Sequence, residues 1–198
     1  MLFIILIGMK QGQKQNIKKN ASYFITMTVV NWVDVFTRKN HADIIIDALR
    51  YCKKEKGLNV YAFCIMSNHI HMLVNTNEPF VLKDTIRDFK KFTSKKIIAE
   101  INSKQESRRE WMIKLFKKEA MTSKKHKTYK FWQSGNHAIE VYSPKFTWNK
   151  INYIHKNPVR AGYVKEDHHW VYSSASNYQE LESVLEVDLI PHLLVTYN

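Results

Sequence analysis

The spacing of apolar residues changes several times along the first hundred residues, and each change predicts an element of secondary structure. Residues 23–30 are rich in β-branched and aromatic side chains, which favour a β-strand. From Asn40, which we interpret as an N-cap, apolar residues recur at helical spacing until Gly57 supplies a stop. The folded part of the chain is therefore predicted to begin with a strand and a helix.

Two more strands and a long helix are predicted next. Residues 60–65 and 69–75 have strand character, and the polar Ser67-Asn68 pair between them suggests either a bulge or one bent strand. Residues 81–101 place apolar side chains on one face of a helix and basic side chains around the other sides. This segment is therefore predicted to be a basic amphipathic helix.

The second half of the chain is less regular. Residues 103–130 carry ten Lys and Arg and predict a basic excursion that is part helix and part loop. Residues 130–142 predict two strands around a Gly-Asn turn. Ser143-Pro144 predicts the start of a helix that should end near Asn157-Pro158, and a last short helix is predicted near residues 178–185.

The order of these elements predicts the fold class. Strands and helices alternate without an internal repeat and without the glycine fingerprint of dinucleotide-binding folds. We therefore predict an α+β, ferredoxin-like sandwich with a central antiparallel sheet and helices packed on it. The expected organisation is an N-terminal tail over residues 1–20, one domain over residues 21–177 and a C-terminal tail over residues 178–198.

Charge and cysteine content narrow the function classes. Among 198 residues, 31 Lys and Arg face 18 Asp and Glu, so the net charge of +13 favours a polyanionic partner such as nucleic acid. Cys52 and Cys64 are too few for a disulfide scaffold, which indicates a cytoplasmic protein. The apolar residues 1–8 are far shorter than the roughly 18 to 20 that a membrane span needs, so no membrane partner is expected.

Two patterns could carry chemistry. In a strand, side chains two residues apart share a face, so the imidazoles of His69 and His71 would form half of a metal site. Such a pair alone is weak evidence for a metal site.

A second pattern lies in the predicted helix that starts at Ser143. In a helix, positions four apart share a face, which brings the phenol of Tyr153 beside the amide of Asn157. A lone helical tyrosine usually fills a core, but here polar residues surround it on nearly every side.

Two segments of the sequence resemble motifs of a known family. Residues 66–74, Met-Ser-Asn-His-Ile-His-Met-Leu-Val, resemble the motif around the histidine pair of the single-tyrosine HUH transposases. Residues 153–162, Tyr-Ile-His-Lys-Asn-Pro-Val-Arg-Ala-Gly, resemble their tyrosine-helix motif. With Phe131-Trp132-Gln133 upstream and Tyr172-Ser173-Ser174 downstream, the chain is most similar to the REP-associated tyrosine transposases.

The resemblance implies a mechanism and a set of site residues. Tyr153 would be the nucleophile, and a phenol with a pKa of about 10 needs proximity and charge neutralisation to attack a phosphate at neutral pH. His69, His71 and the amide oxygen of Asn157 would hold a divalent ion, Mg²⁺ or Mn²⁺. The product would be a 5′-phosphotyrosine, whose bond energy lets a second strand rejoin DNA without ATP.

The implied substrate is single-stranded DNA folded into imperfect hairpins. Lys and Arg would contact phosphates, and aromatic residues would stack on unpaired bases. The candidate DNA-binding residues lie on the long helix, in the basic excursion and after the tyrosine helix: Lys83, Arg87, Lys90, Lys91, Lys124, Lys125, Lys127 and Arg160. The sequence leaves open whether the protein is a homodimer or a monomer.

Three other functions are compatible with parts of the sequence. A replication-initiation or relaxase nuclease would use the same architecture, but usually in a larger chain. A catalytically silent DNA-binding regulator would not need His69, His71, Tyr153 and Asn157 together. A metabolic metalloenzyme is disfavoured by the charge of +13.

Overall fold

The computed structural model describes Lys18 and residues 21–103, 106–123 and 128–191. The rest of the predicted N-terminal tail, the end of the C-terminal tail and the candidate DNA-binding residues Lys124, Lys125 and Lys127 lie outside these described residues. The excursion is described in part, and it contains a helix as predicted.

The described elements alternate between strands and helices in the predicted order. In chain order they are β1 (Ser22–Thr28), α1 (Lys39–Glu55), β2 (Leu58–Ile65), β3 (His69–Thr76), α2 (Leu82–Ser103), α3 (Arg109–Met121), β4 (Ile139–Val141) and α4 (Pro144–Arg160). Ser143 caps α4 as predicted, since its Oγ accepts a hydrogen bond from the Phe146 amide at 3.3 Å. Gly57 follows α1 with a φ of 56°, a conformation that suits glycine.

The sheet confirms the ferredoxin-like prediction. Across the described residues its strand order is β2-β3-β1-β4, and every neighbouring pair is antiparallel. The central pair, β1 and β3, places Thr26 opposite His71 and Thr28 opposite His69. The register between β2 and β3 shifts by one residue near Tyr61, as it does at a β-bulge.

Helices cover both faces of the sheet, and the alternation of strand side chains decides which face each residue joins. On one face, Ile25 and Met72 belong to the core that α1 and α2 complete. On the other face, Phe24 and Leu73 pack with Ile151 and Ile154 of α4. His71 is buried on this second face, where its ring contacts Phe24 and Tyr153. The sheet therefore presents the histidine pair to α4.

Two local predictions at the start of the fold are wrong. Asn40 is not the N-cap, because α1 begins at Lys39 and the Asn40 amide instead donates to Glu100 of α2 at 2.7 Å. Ser67-Asn68 forms neither a bulge nor a bend in one strand. It belongs to the reverse turn of the β2–β3 hairpin, which the Met66 amide closes by donating to the His69 carbonyl at 2.8 Å.

Three predictions in the second half also need correction. The two arms within residues 130–142 do not pair with each other, because Trp132 bridges Val29 while β4 pairs with the start of β1. Helix α4 continues beyond Asn157 to Arg160, with Pro158 in its last turn. Near residues 178–185 there is only the short 3-10 turn Asn177–Gln179, and the chain then runs along β2, where the Asp188 amide donates to the Val60 carbonyl at 2.8 Å.

Candidate active site

The two histidines of β3 lie side by side on the face that α4 covers. Their ring centroids are 4.7 Å apart, and the rings meet edge to face at 76°. His69 lies at the start of the strand and is half-buried, whereas His71 is buried. The same-face prediction for this pair therefore agrees with the geometry.

Hydrogen bonds at Nδ1 orient both imidazoles. Asn68 Nδ2 donates to Asp34 Oδ1 at 2.8 Å, so Asn68 turns its Oδ1 toward His69 Nδ1, also at 2.8 Å. An amide oxygen only accepts, so His69 carries its hydrogen on Nδ1. His71 Nδ1 lies 2.8 Å from Thr26 Oγ1, its partner across the sheet. In both rings, Nε2 is therefore the nitrogen that can bind a metal.

Burial keeps both imidazoles neutral at physiological pH. It lowers the pKa of His69 to about 4, and it lowers the pKa of His71 well below its usual value. The positive charge of nearby Lys150 lowers the pKa of His71 further. Neutral imidazole is the form that binds a divalent cation, so the pair is ready to act as ligands at pH 7.

Tyr153 lies on α4 with its ring against that of His71. Its ring centroid is 5.3 Å from that of His71 and 5.7 Å from that of Phe24, and the side chain is half-buried. One helical turn later, Asn157 Nδ2 donates to the Tyr153 carbonyl at 2.7 Å. This bond uses the nitrogen of the amide and leaves Oδ1 as the metal-binding atom. Asn157 therefore lies one turn beyond Tyr153 on the same helix, as its spacing predicts.

Two cations flank the phenol ring. The Arg160 guanidinium carbon lies 5.1 Å from the centroid of the Tyr153 ring. Lys150 Nζ lies 5.7 Å from the same centroid and 4.5 Å from that of Phe24, and burial lowers the pKa of Lys150. Sequence reasoning missed Lys150, although its position three residues before Tyr153 places it on the same helix face.

The other candidate DNA-binding residues lie elsewhere. Lys83, Arg87, Lys90 and Lys91 are on α2, which packs on the opposite face of the sheet from the histidine pair. Arg87 is paired with Asp84 and Asp88. Lys90 donates to the carbonyls of Gln133 and Gly135 at 2.9 and 2.7 Å, and burial lowers its pKa to about 8. The structure therefore brings Arg160, but not these four residues, to the candidate site.

The two histidines form a site for a divalent ion only if the Asn157 amide also acts as a ligand. Within the described ranges, no group of three or more His, Cys, Asp and Glu side chains could hold a metal. His69 and His71 offer two Nε2 atoms, and Asn157 on the facing helix can supply an oxygen. Two neutral nitrogens and one neutral oxygen fit Mn²⁺ or Mg²⁺, which fill their remaining positions with water and phosphate oxygens.

Comparison with known protein families identifies the chain. The family described as "Transposase IS200 like" matches residues 17–125, more than half of the sequence. The chain belongs to this family of transposases. The matched region includes the histidine pair and ends before α4, so it does not include Tyr153. The predicted membership of the single-tyrosine HUH transposases is thereby confirmed.

Two solved structures are similar to this chain, and the first of them confirms the fold. The structure of a REP-associated tyrosine transposase bound to a REP hairpin matches with a TM-score of 0.60 at 16% identity, over 93% of this chain and 96% of that one. A candidate transposase from Deinococcus radiodurans R1 matches with a TM-score of 0.43 at 17% identity, over 74% of this chain and 95% of that one.

No protein in the curated set matches the chain. In the part of the transposase that the structure describes, no helix is both long enough and apolar enough to cross a bilayer.

Proposed function

We propose that this transposase is a metal-dependent single-stranded DNA endonuclease and strand transferase that acts through a 5′-phosphotyrosine on hairpin-flanked DNA. The observation that carries the proposal is the position of Tyr153, whose ring lies 5.3 Å from that of His71 with Asn157 one helical turn further along. A nucleophile next to a candidate metal site is an arrangement that suits phosphoryl transfer, because a cation there would neutralise charge on the phosphate that the nucleophile attacks.

The reaction would proceed in two displacements. In the first, the Tyr153 oxygen attacks phosphorus, the bond between phosphorus and the 3′-oxygen breaks, and the phenol proton leaves to solvent while the 3′-oxygen takes one up. In the second, the 3′-hydroxyl of another strand attacks the phosphotyrosine and displaces Tyr153. Each displacement makes and breaks one phosphate ester, so the exchange needs no nucleotide cofactor.

His69 Nε2, His71 Nε2 and Asn157 Oδ1 would hold the divalent ion. When bound, this ion would neutralise charge on the non-bridging oxygens of the scissile phosphate. Asn68 and Thr26 fix the ring orientations through Nδ1, so both Nε2 atoms point away from those partners. Such outer hydrogen bonds orient ligands before the metal arrives, which strengthens binding.

Lys150 and Arg160 would supply positive charge at the phenol. A cation near the ring stabilises the phenolate as it forms, and it also attracts the phosphate. The charge of Lys150 also acts on His71, whose pKa it lowers, so this cation lies near the histidine pair as well as near the phenol.

Replacing Lys150 with Gln should slow formation of the covalent adduct by roughly 10- to 1,000-fold, because one preorganised charge near the reacting phosphate is lost. Lys145→Gln is the matched control, since Lys145 is an exposed lysine at the start of the same helix. Single-turnover rates at saturating protein measure the effect, and Lys150→Arg should restore part of it. Equal rates for Lys150→Gln and Lys145→Gln would remove Lys150 from the mechanism.

Hairpin DNA is the proposed substrate. The structural relative is described as bound to a REP hairpin, and this chain carries a net charge of +13. We also predict that Lys83, Lys91 and the other basic residues named above contact DNA. The oligomeric state, homodimer or monomer, and a cytoplasmic location remain predictions as well. The exposed Lys83 and Lys91 of α2 would contact DNA that extends around the sheet rather than DNA at the cleavage site.

The polarity of the covalent adduct tests the proposed function. The protein is incubated with Mn²⁺ and single strands of the DNA that flanks its gene, labelled at either end. A 5′-phosphotyrosine predicts that the label at the 3′ end stays with denatured protein, while the label at the 5′ end is released on a fragment with a 3′-hydroxyl. The reverse pattern, or cleavage without any adduct, would contradict the proposal.

A further inference from the structure

Trp32 has an unusual backbone and an exposed indole. It follows β1 between two buried valines, Val30 and Val33. Both Asn31 and Trp32 have a left-handed backbone, with φ values of 52° and 55°. Asparagine tolerates this region, but for a bulky side chain such as tryptophan it is an outlier that carries strain. The strained turn therefore needs support from its surroundings.

That support comes from several directions. The Val30 amide donates to the Phe131 carbonyl at 2.9 Å, and the Trp32 amide donates to the Val29 carbonyl at 3.1 Å. The Asn31 side chain donates to Glu119 of α3 at 3.0 Å. The excursion helix thus helps to fix the turn that precedes the indole. Strain that is held in place by distant contacts is typical of functional positions.

The turn places the indole at the edge of the candidate site. The Trp32 ring centroid lies 5.8 Å from that of His69, and the planes meet at 74°. The side chain is 56% exposed, which is unusual for the largest apolar side chain. Because more than half of the side chain is exposed, a broad indole surface faces solvent beside the histidine pair.

Local charge indicates what this surface can bind. Asp34, two residues further along, is exposed and is held beside His69 through Asn68. A carboxylate does not attract a phosphate, so this side of the indole is not a phosphate-binding site. A nucleobase is neutral and has a π-face, and stacking on an aromatic residue is how proteins hold unpaired bases.

We propose that Trp32 is a stacking site for an unpaired nucleobase adjacent to the phosphate that Tyr153 attacks. This inference rests on the proposed function, because it assumes that a single strand passes the histidine pair. Stacking one base at a fixed distance from His69 would hold the strand in register with the nucleophile. Trp32 would therefore contribute to where the strand is cut as well as to how tightly it is bound.

Binding of two strands of equal length and charge tests the site. Oligothymidylate has bases that can stack, whereas an abasic strand has only the sugar-phosphate backbone. Trp32→Leu should reduce the preference for oligothymidylate by roughly 5- to 150-fold, because stacking one base contributes about 1–3 kcal/mol. Trp32→Phe should keep most of the preference. Trp111→Leu is the matched control, since Trp111 is also an exposed tryptophan, 46% exposed on α3.

Each outcome separates this inference from the proposed function. If Trp32→Leu and Trp111→Leu retain the same preference while the wild-type protein still forms its covalent adduct, the stacking site is wrong and the proposed function stands. If the wild-type protein shows no preference for bases over the abasic strand, stacking is excluded altogether. If it binds neither strand and forms no adduct, both proposals fail. Far-UV circular dichroism checks that the variants keep the wild-type fold.

Discussion

Replacing Tyr153 with Phe should abolish the covalent protein–DNA adduct and lower the cleavage rate by roughly four orders of magnitude or more, because no other group takes over from a missing nucleophile. The change removes one oxygen atom and keeps the aromatic contacts with Phe24 and His71. Folding and DNA binding should therefore remain near wild type. Adduct that resists denaturation, separated by electrophoresis, measures the effect.

Tyr142→Phe is the matched control for this experiment. Tyr142 is 81% exposed and lies just before α4, so its hydroxyl is outside the candidate site. The control should form adduct at the wild-type rate. Undiminished adduct in Tyr153→Phe would show that a different residue attacks the phosphate.

Replacing His69 or His71 with Ala should remove most of the metal-dependent cleavage and weaken Mn²⁺ binding. The loss should exceed the roughly 10- to 100-fold that removal of an outer hydrogen-bond partner costs, because a direct ligand is missing. Titration with Mn²⁺, followed by the signal of the free ion in electron paramagnetic resonance, measures binding independently of activity. His169→Ala, which removes an exposed imidazole, is the control.

The pH dependence of Mn²⁺ binding gives a second readout of the same site. Burial lowers the pKa of His69 to about 4 and lowers that of His71 too, so protons compete with the metal only at low pH. Affinity should therefore change little between pH 7 and pH 5 and fall as the pH approaches 4. Unchanged Mn²⁺ affinity in both alanine variants would exclude a metal site at the histidine pair.

The helical part of the candidate site could be predicted from the sequence because its geometry is local. Spacing of four residues places Asn157 one turn beyond Tyr153 in any helix, and the structure has this arrangement. The same rule applies to Lys150, which is three residues before Tyr153. Strand alternation likewise predicts that His69 and His71 share a face.

The rest of the site depends on contacts between distant segments. The partnership of His71 with Thr26 follows from the register of β1 and β3, which are separated by α1 and β2. Helical periodicity predicts that Lys83 and Lys91 are exposed, but it does not indicate which face of the sheet α2 covers. The left-handed conformation of Trp32 has no sequence signal, because the usual indicator of positive φ is glycine.

The incorrect secondary-structure predictions have the same origin. Residues 130–142 have the composition of a hairpin, but Trp132 and β4 find their partners along the β1 segment rather than in each other. Near residues 178–185, burial of Leu185 and the hydrogen bond from Asp188 to Val60 favour an extended path over a helix. In both places tertiary contacts override the local preference.

The identity of the residue that carries DNA tests the central claim most directly. The covalent adduct is digested with nuclease and protease, and mass spectrometry locates the peptide that retains a nucleotide phosphate. We predict that the phosphate is on Tyr153, attached through the phenolic oxygen to the 5′ end of the DNA. A phosphate on another residue, such as Tyr163 or Ser67, would contradict the account.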